Sequence, residues 1–346
     1  LYKSHDALIF PSTFESFGIP LLEAHENGMD IIASERDYVR DIVTPNETFD
    51  PVSAVSISRA VKRYLQVPST TNVHSPQVFW EKIIMHIYIP TKGRPESQIT
   101  LENLGTLQKH THLVIPKSEY NLHKKYNRNL ITHNKEGIGS TRQFIMNYAI
   151  KHNQKKVIML DDDLIFSTRA NPDKWNLRPV FGRELFLIFK RLETLLDTHV
   201  HATLSPRFMN NVHYPLTEKL ITPQRAVHAI RPDILKKHNI RYDFVELMED
   251  HYVTLSLLSL GYSNCMITNA AWDQKGVSNA DGGCSSYRSL ELQEKTSNKL
   301  KDKFPEFVTV VKKKTKTGWN NIGERVDVRI RWQKAYKTGS SIRNSN

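Results

Sequence analysis

Ten residues, VIMLDDDLIF, bring three adjacent carboxylates, Asp161, Asp162 and Asp163, to the end of an apolar run. Neighbouring carboxylates repel one another and are costly to desolvate, so a cluster flanked by apolar residues on both sides calls for a compensating cation. Alternation along a strand end puts Asp161 and Asp163 on one side, where two hard oxygen ligands suit Mg²⁺ or Mn²⁺. Such an ion leaves coordination positions for diphosphate oxygens and offsets the negative charge that grows on a departing nucleoside diphosphate. Asp161 and Asp162 are accordingly assigned to a nucleotide-sugar donor, and Asp161 and Asp163 to the metal.

Two upstream segments carry cations and glycines suited to the same ligand. The polar turn TKGRP follows the apolar KIIMHIYIP, and ligands of open α/β sheets sit at the carboxyl ends of strands, so Thr91, Lys92 and Arg94 are placed to meet a nucleotide. In KEGIGSTRQF, Gly137 and Gly139 precede a helix whose free N–H groups, with Arg142, are suited to phosphate or base. Downstream, FVELMEDHYVTLSLLSLGY sets Glu249 and Asp250 at the start of a helix. Carboxylates there serve the helix dipole, or catalysis: a general base must take the proton of an attacking acceptor hydroxyl. Asp250 is the candidate base, and Glu249 the candidate to orient the acceptor or stand in for it.

The elements that must hold these residues read as two units. In the first, ALIF, PLLEAHENG and DIIAS give strand, helix and strand, and SAVSISRAVKRYLQ gives a closing helix. VPSTTNVHSPQ, without periodicity, reads as a linker. After it KIIMHIYIP, HLVIP and KKVIMLDDDLIF are strands. GSTRQFIMNYAIKHN is a helix with Ser140 or Thr141 available as its cap, and RELFLIFKRLETLLDTH a further helix. Strands alternating with helices imply a mainly parallel sheet. The expected boundaries are 1–67 for the first unit, 68–81 for the linker, 82–297 for the catalytic domain and 298–346 for a basic extension.

Composition narrows the setting. The chain of 346 residues carries a formal net charge of +12, and residues up to 81 hold more Asp and Glu than Lys and Arg, so the basic excess lies wholly after them. A basic domain attracts polyanions, of which DNA is the commonest inside cells. The run Lys312 to Lys314, Trp319, Arg329, Arg331 and Trp332 offers phosphate contacts mixed with stacking surfaces. Two cysteines, Cys265 and Cys284, are too few for a disulfide framework and read as packing residues. No apolar run reaches the length of a membrane span, and the start has no signal-peptide pattern, so the expectation is a soluble, cytoplasmic protein without a membrane partner.

The order of these motifs resembles that of GT-A glycosyltransferases, especially the inverting family-two type, over about residues 83 to 290: strand then TKGRP, DDD, AVHAIRPDIL, and an ED helix ending in LGY. The stretch from IYIPTKGRP to LDDDLIF is similar to the TET-associated glycosyltransferases of bacteriophages. That resemblance implies glycosylation of hydroxymethylated pyrimidines in DNA, with UDP-glucose as the expected donor and the host bacterial cytoplasm as the setting. The GT-A pattern implies a third metal ligand after the ED helix, usually histidine; MITNAAWDQ has Asp273 available instead. The paired glycines Gly282 and Gly283 suit a loop closing over the donor.

The first unit carries a different resemblance. PSTFESFGIPLLEA sets Glu15 and Glu23 eight positions apart around Gly18, which resembles the E-x7-E donor motif of retaining GT-B transferases of the family-four type. It implies a partial Rossmann-like half, either a truncated piece of a larger two-enzyme protein, which Leu1 in place of an initiator Met favours, or a degenerate docking module. Two alternatives stay open for the whole chain: a transferase acting on a glycan, lipid or protein, and a non-catalytic nucleic-acid-binding protein on a transferase fold.

Overall fold

The computed structural model describes residues 5–15, 17–66, 85–171, 174–275, 288–314 and 324–345. The expected linker, Gly282, Gly283, Cys284 and Trp319 lie outside the described residues. Contacts divide the chain into two units, Leu1–Ile83 and Ile84–Asn346.

The first unit is a parallel sheet of β1 (Ala7–Phe10), β2 (Asp30–Ser34) and β3 (Glu47–Phe49), in that order, with helices α1 (Ile19–Glu26), α2 (Asp37–Ile42) and α3 (Ala54–Tyr64). DIIAS is buried almost throughout because both faces are covered: Ile31 and Ala33 pack with Leu21, Ala24 and Val39, while Ile32 packs with Phe49 and Ala60. Ser53 caps α3 by accepting from the Ser56 N–H. Neither α2 nor β3 is marked by the sequence reading, since each is short and has too few apolar positions to show a period.

The second unit is α/β, built on one large sheet. Its strands are β4 (Ile87–Pro90), β5 (Thr111–Pro116), β6 (Leu130–His133), β7 (Val157–Leu160), β8 (Leu164–Arg169), β9 (Leu177–Pro179), β10 (His201–Pro206), β11 (Glu218–Leu220), β12 (Val227–Ile230) and β13 (Asn264–Gln274). The order is β6-β5-β4-β7-β12-β10-β13-β8-β9, with β11 on β13. Only β8, β11 and β12 run against the common direction, so the sheet is mainly parallel.

Period two sorts the strand residues to two cores. Ile87 and Ile89 face the side covered by α4 (Ile99–Asn103) and α6 (Gly182–Leu195), where Leu185, Phe189 and Leu192 recur at helical spacing. Tyr88 and Met159 face the other side, covered by α5 (Ile138–Lys151), α7 (Pro232–Lys237) and α8 (Glu249–Ser259). Each fully buried Leu, Ile or Phe contributes about 1.5–3 kcal/mol.

The residues after 297 share this second core. Leu300 on α9 (Leu290–Lys303), Val308 on β14 (Val308–Lys314), Val328 on β15 (Glu324–Ile330) and Ala335 on α10 (Trp332–Ser345) belong to one cluster with Tyr252 and Leu255 of α8. A Cβ on Gly339 would overlap the Ser259 carbonyl, so α10 crosses α8 at backbone contact. Among the described residues no helix is long and apolar enough to cross a membrane.

Candidate active site

Strand β4 pairs in parallel with β5 on one side and with β7 on the other, so the connections leave it in opposite directions. The carboxyl ends of β4 and β7 therefore flank a switch point, where open α/β sheets form their ligand crevice. Both TKGRP and DDD lie there. Thr91 Oγ1 donates to Asp162 Oδ2 at 2.6 Å, and Arg94 Nη1 donates to Asp162 Oδ1 at 2.7 Å. Lys92 is exposed beside them.

The three aspartates do not continue a strand. β7 stops at Leu160, a turn carries Asp161–Asp163, and β8 begins at Leu164. The carboxylates fan out to separate partners: Asp161 to Arg142, Asp162 to Thr91 and Arg94, and Asp163 to Gln274 Nε2 at 3.4 Å. The turn, not strand alternation, therefore directs Asp161 and Asp163. Buried Thr100 clips the turn, donating to Asp161 O at 2.5 Å and accepting from Leu164 N at 2.7 Å, while Asp161 N donates to Ala226 O and Lys275 N to Asp163 O. A threonine far upstream in an unremarkable ITLEN segment gives no sequence signal for this role.

Arg142 faces inward, away from the phosphate or base expected for it. Its Nη2 donates to Asp161 Oδ1 and its Nη1 to Glu249 Oε1, both at 2.6 Å, and its side chain is almost wholly buried. Gly139 likewise serves packing: a Cβ there would stand 2.8 Å from Tyr242 O, so the helix end presses on the 242–245 segment and does not face a ligand. α5 begins at Ile138, capped by Gly137, ahead of the Ser140 or Thr141 cap that the sequence offers.

Asp250 and Glu249 open α8 behind Met248, whose φ of 56° is left-handed and costs a non-glycine residue on the order of 1 kcal/mol. The two carboxylates diverge. Glu249 is buried on Arg142; burial pushes its carboxyl up and the Asp250 charge adds to that, while Arg142 opposes. Asp250 stays partly open and accepts from both the backbone N–H and the ring Nδ1 of His251, at 2.7 and 2.8 Å. Burial pushes its carboxyl up, but His251, His228 and Arg142 outweigh that and hold it well below the usual carboxylate range. Glu249 thus braces the site internally, and Asp250 is the open, ionised group.

Histidines are the neighbours of Asp250 that motif reading passed over. His251 is flanked by the Trp332 ring, with centroids 5.6 Å apart. Behind them His228 and His201 are fully buried, with Nδ1 of His228 3.1 Å from Nε2 of His201. Burial drives the His201 imidazole down to about 3 and His228 well below its ordinary value. The available signal was a histidine within each of the strands HATLSP and VHAI.

Asp273 does not join the triad. In β13 it pairs with Ile165 and faces Arg207, 4.0 Å away, whereas the next residue, Gln274, turns to Asp163, as alternation requires. Among the described residues no three His, Cys, Asp or Glu side chains converge as a metal-ligand set. A cavity of about 330 Å³ between α5 and α7, lined by Gln143, Met146, Asn147, Leu235 and Arg241 among others, is lined by none of the carboxylates.

In the first unit Gly18 is the left-handed cap of α1, and a Cβ there would stand 2.5 Å from Ile42 Cδ1. Glu23 is exposed on α1, and Glu15 is half-buried in the preceding loop.

A model of "Glycosyl transferases group 1" matches residues 1–75. No curated protein matches the chain. Among solved structures, the chain is similar to a putative nucleotide-diphospho-sugar transferase from Desulfovibrio desulfuricans, at 11% identity and TM-score 0.34, covering 62% of this chain and 96% of that one. It is also similar to a mannose-1-phosphate geranyltransferase from Thermus thermophilus, at 12% identity and TM-score 0.33, covering 55% and 76%. A third is a CMP:2-keto-3-deoxy-manno-octonic acid synthetase, at 14% identity and TM-score 0.32, covering 52% and 88%. The model of the TET-Associated Glycosyltransferase matches residues 85–283, more than half of the chain and the span that holds Thr91, Arg94, Asp161–Asp163 and Asp250. The chain belongs to the TET-associated glycosyltransferase family.

Proposed function

We propose that this glycosyltransferase moves a sugar, glucose from UDP-glucose, onto the hydroxyl of a hydroxymethylated pyrimidine in DNA, with inversion at the anomeric carbon. The observation that carries the reading is the junction of the DDD turn with the ED helix through Arg142. It joins the turn proposed for the diphosphate to the helix that carries the proposed base.

The residues fit a hard dication. Asp161, Asp162, Asp163, Glu249 and Asp250 are five carboxylates around two guanidiniums, Arg94 and Arg142. Burial, with the neighbouring Asp162, pushes the Asp163 carboxyl up. Magnesium needs only one or two carboxylates when water and phosphate oxygens complete its shell, so Asp163 with Asp161 would hold it without Asp273. Bound there, Mg²⁺ or Mn²⁺ supplies Lewis-acid stabilisation of the diphosphate.

The chain's own groups do the rest. Lys92 and Arg94 meet donor phosphates, with Thr91 and Asp162 holding Arg94 in place. Asp250 takes the acceptor proton on its open oxygen, and His251 fixes the carboxylate through the other. The basic excess of the second unit favours DNA over a glycan, lipid or protein acceptor. The match of the first unit to a GT-B-type family model supports a donor-binding role for it, with Glu15, Gly18 and Glu23 as its motif.

The test is mass spectrometry of hydroxymethylcytosine DNA after incubation with the protein, Mn²⁺ and a panel of nucleotide sugars. A hexose gain from UDP-glucose is expected, abolished in Asp250→Asn with donor binding nearly intact. Full turnover by Asp250→Asn removes Asp250 from the base role, and no gain with any sugar removes the DNA acceptor.

A further inference from the structure

The carboxyl end of β10 leaves the sheet into a short helix, Arg207–Asn210, and a further turn, Asn211–His213. Phe208 is 71% exposed, Met209 44% and Val212 76%, and Trp175, just before β9, is 60% exposed. Single exposed apolar residues are ordinary, but a group of them tied together marks a contact surface.

These are tied together. The buried Arg169 guanidinium donates to the Trp175 carbonyl through Nη1 and to the Asn210 carbonyl through Nη2, at 3.2 Å for the latter, and lies 5.4 Å from the Tyr214 ring. Asn210 is in turn fixed by donating to Thr268 O at 2.9 Å, where β13 shifts register against β10. The exposed side chains therefore project from an anchored backbone.

The rim also adjoins the candidate site. Arg207 stands 3.3 Å from Ser167 Oγ and 4.0 Å from Asp273 Oδ2, and Gln274, next in sequence to Asp273, reaches Asp163. Its cations are interleaved with the apolar groups: Lys174 precedes Trp175, and Arg207 precedes Phe208. Exposed π-faces mixed with Lys and Arg suit nucleobases lifted out of a stack, with the phosphates meeting the cations. A base presented to a transferase must be taken out of its stack.

We propose that Trp175, Phe208, Met209 and Val212 form a stacking rim for the unpaired bases of a locally opened DNA strand whose hydroxymethylated base enters the site beside Asp163. The inference rests on the DNA-acceptor reading above. Its test measures fluorescence anisotropy of a labelled single-stranded oligonucleotide carrying a hydroxymethylpyrimidine. The Trp175→Ala/Phe208→Ala double variant binds it about tenfold or more weakly, Phe208→Tyr binds as the native chain does, and donor affinity by calorimetry is unchanged in both.

Undiminished affinity in the double variant overturns the rim. So does a loss confined to phosphatidylglycerol vesicles with oligonucleotide binding intact, which assigns the surface to lipid. If the native chain transfers no sugar to hydroxymethylated DNA, the acceptor reading fails by itself, while a binding loss in the double variant still locates a strand on this surface.

Discussion

Nη2 of Arg142 stands 2.6 Å from Oδ1 of Asp161. The same guanidinium holds Glu249 at 2.6 Å, so one side chain joins the turn proposed to meet the donor to the helix proposed to meet the acceptor. Removing it strands a buried carboxylate. Arg142→Gln is expected to lose about 3–5 kcal/mol in denaturant unfolding, because breaking a buried pair leaves an uncompensated charge. Arg142→Lys, with no fork to span both carboxylates, is expected to fold but to lose turnover more than donor affinity. An unchanged kcat in Arg142→Lys would show that the bridge is dispensable.

Thr100→Val keeps the shape of a fully buried side chain but deletes the hydroxyl shared by Asp161 O and Leu164 N. Leaving those backbone groups without a partner costs about 1–3 kcal/mol. The expected outcome is a lower melting temperature and, in calorimetry, weaker donor binding as the Asp161–Asp163 turn loosens.

The pair His201 and His228 sets an acid limit on stability. Their imidazoles titrate below the ordinary value of 6.5 in the folded chain because they are fully buried, His201 at about 3, with Arg142 pushing both down further and Asp250 opposing. The unfolded chain binds these protons first as pH falls. Their stabilisation is therefore complete above about pH 6.5 and declines below it, by about 1.4 kcal/mol per pH unit per histidine. His201→Phe should change the pH dependence of the urea midpoint between about pH 7 and 5 by this histidine's share, making the loss on acidification smaller than in the native chain.

Gly339→Ala tests whether α10 braces Asp250, the proposed base. The added methyl meets the Ser259 carbonyl, so α10 must lift from α8 at a cost of about 1–3 kcal/mol. Since Trp332 at the start of α10 packs beside His251, which holds Asp250, kcat should drop with little change in donor affinity. A variant that is destabilised but fully active would confine α10 to a structural role.

The sequence by itself determined the alternation of strands and helices, the two units, the TKGRP and DDD segments at strand ends and the ED pair at a helix start. These are local properties: period, turn composition and charge placement act within a few residues of one another. DIIAS is the strand it reads as because its residues alternate between two apolar cores.

Tertiary structure alone decided which charges meet. Arg142 reads as a phosphate ligand from its helix position, but the partners it reaches lie 19 and 107 positions away, and no local spacing encodes them. Asp273 is the residue the sequence offers as a third ligand, but the register of β13 against β8 turned its neighbour Gln274 toward Asp163. Thr100, His201 and His228 carry no motif, and Trp332 reads as a stacking surface of a basic tail where the fold sets it beside His251, because such contacts form only once the sheet order is set.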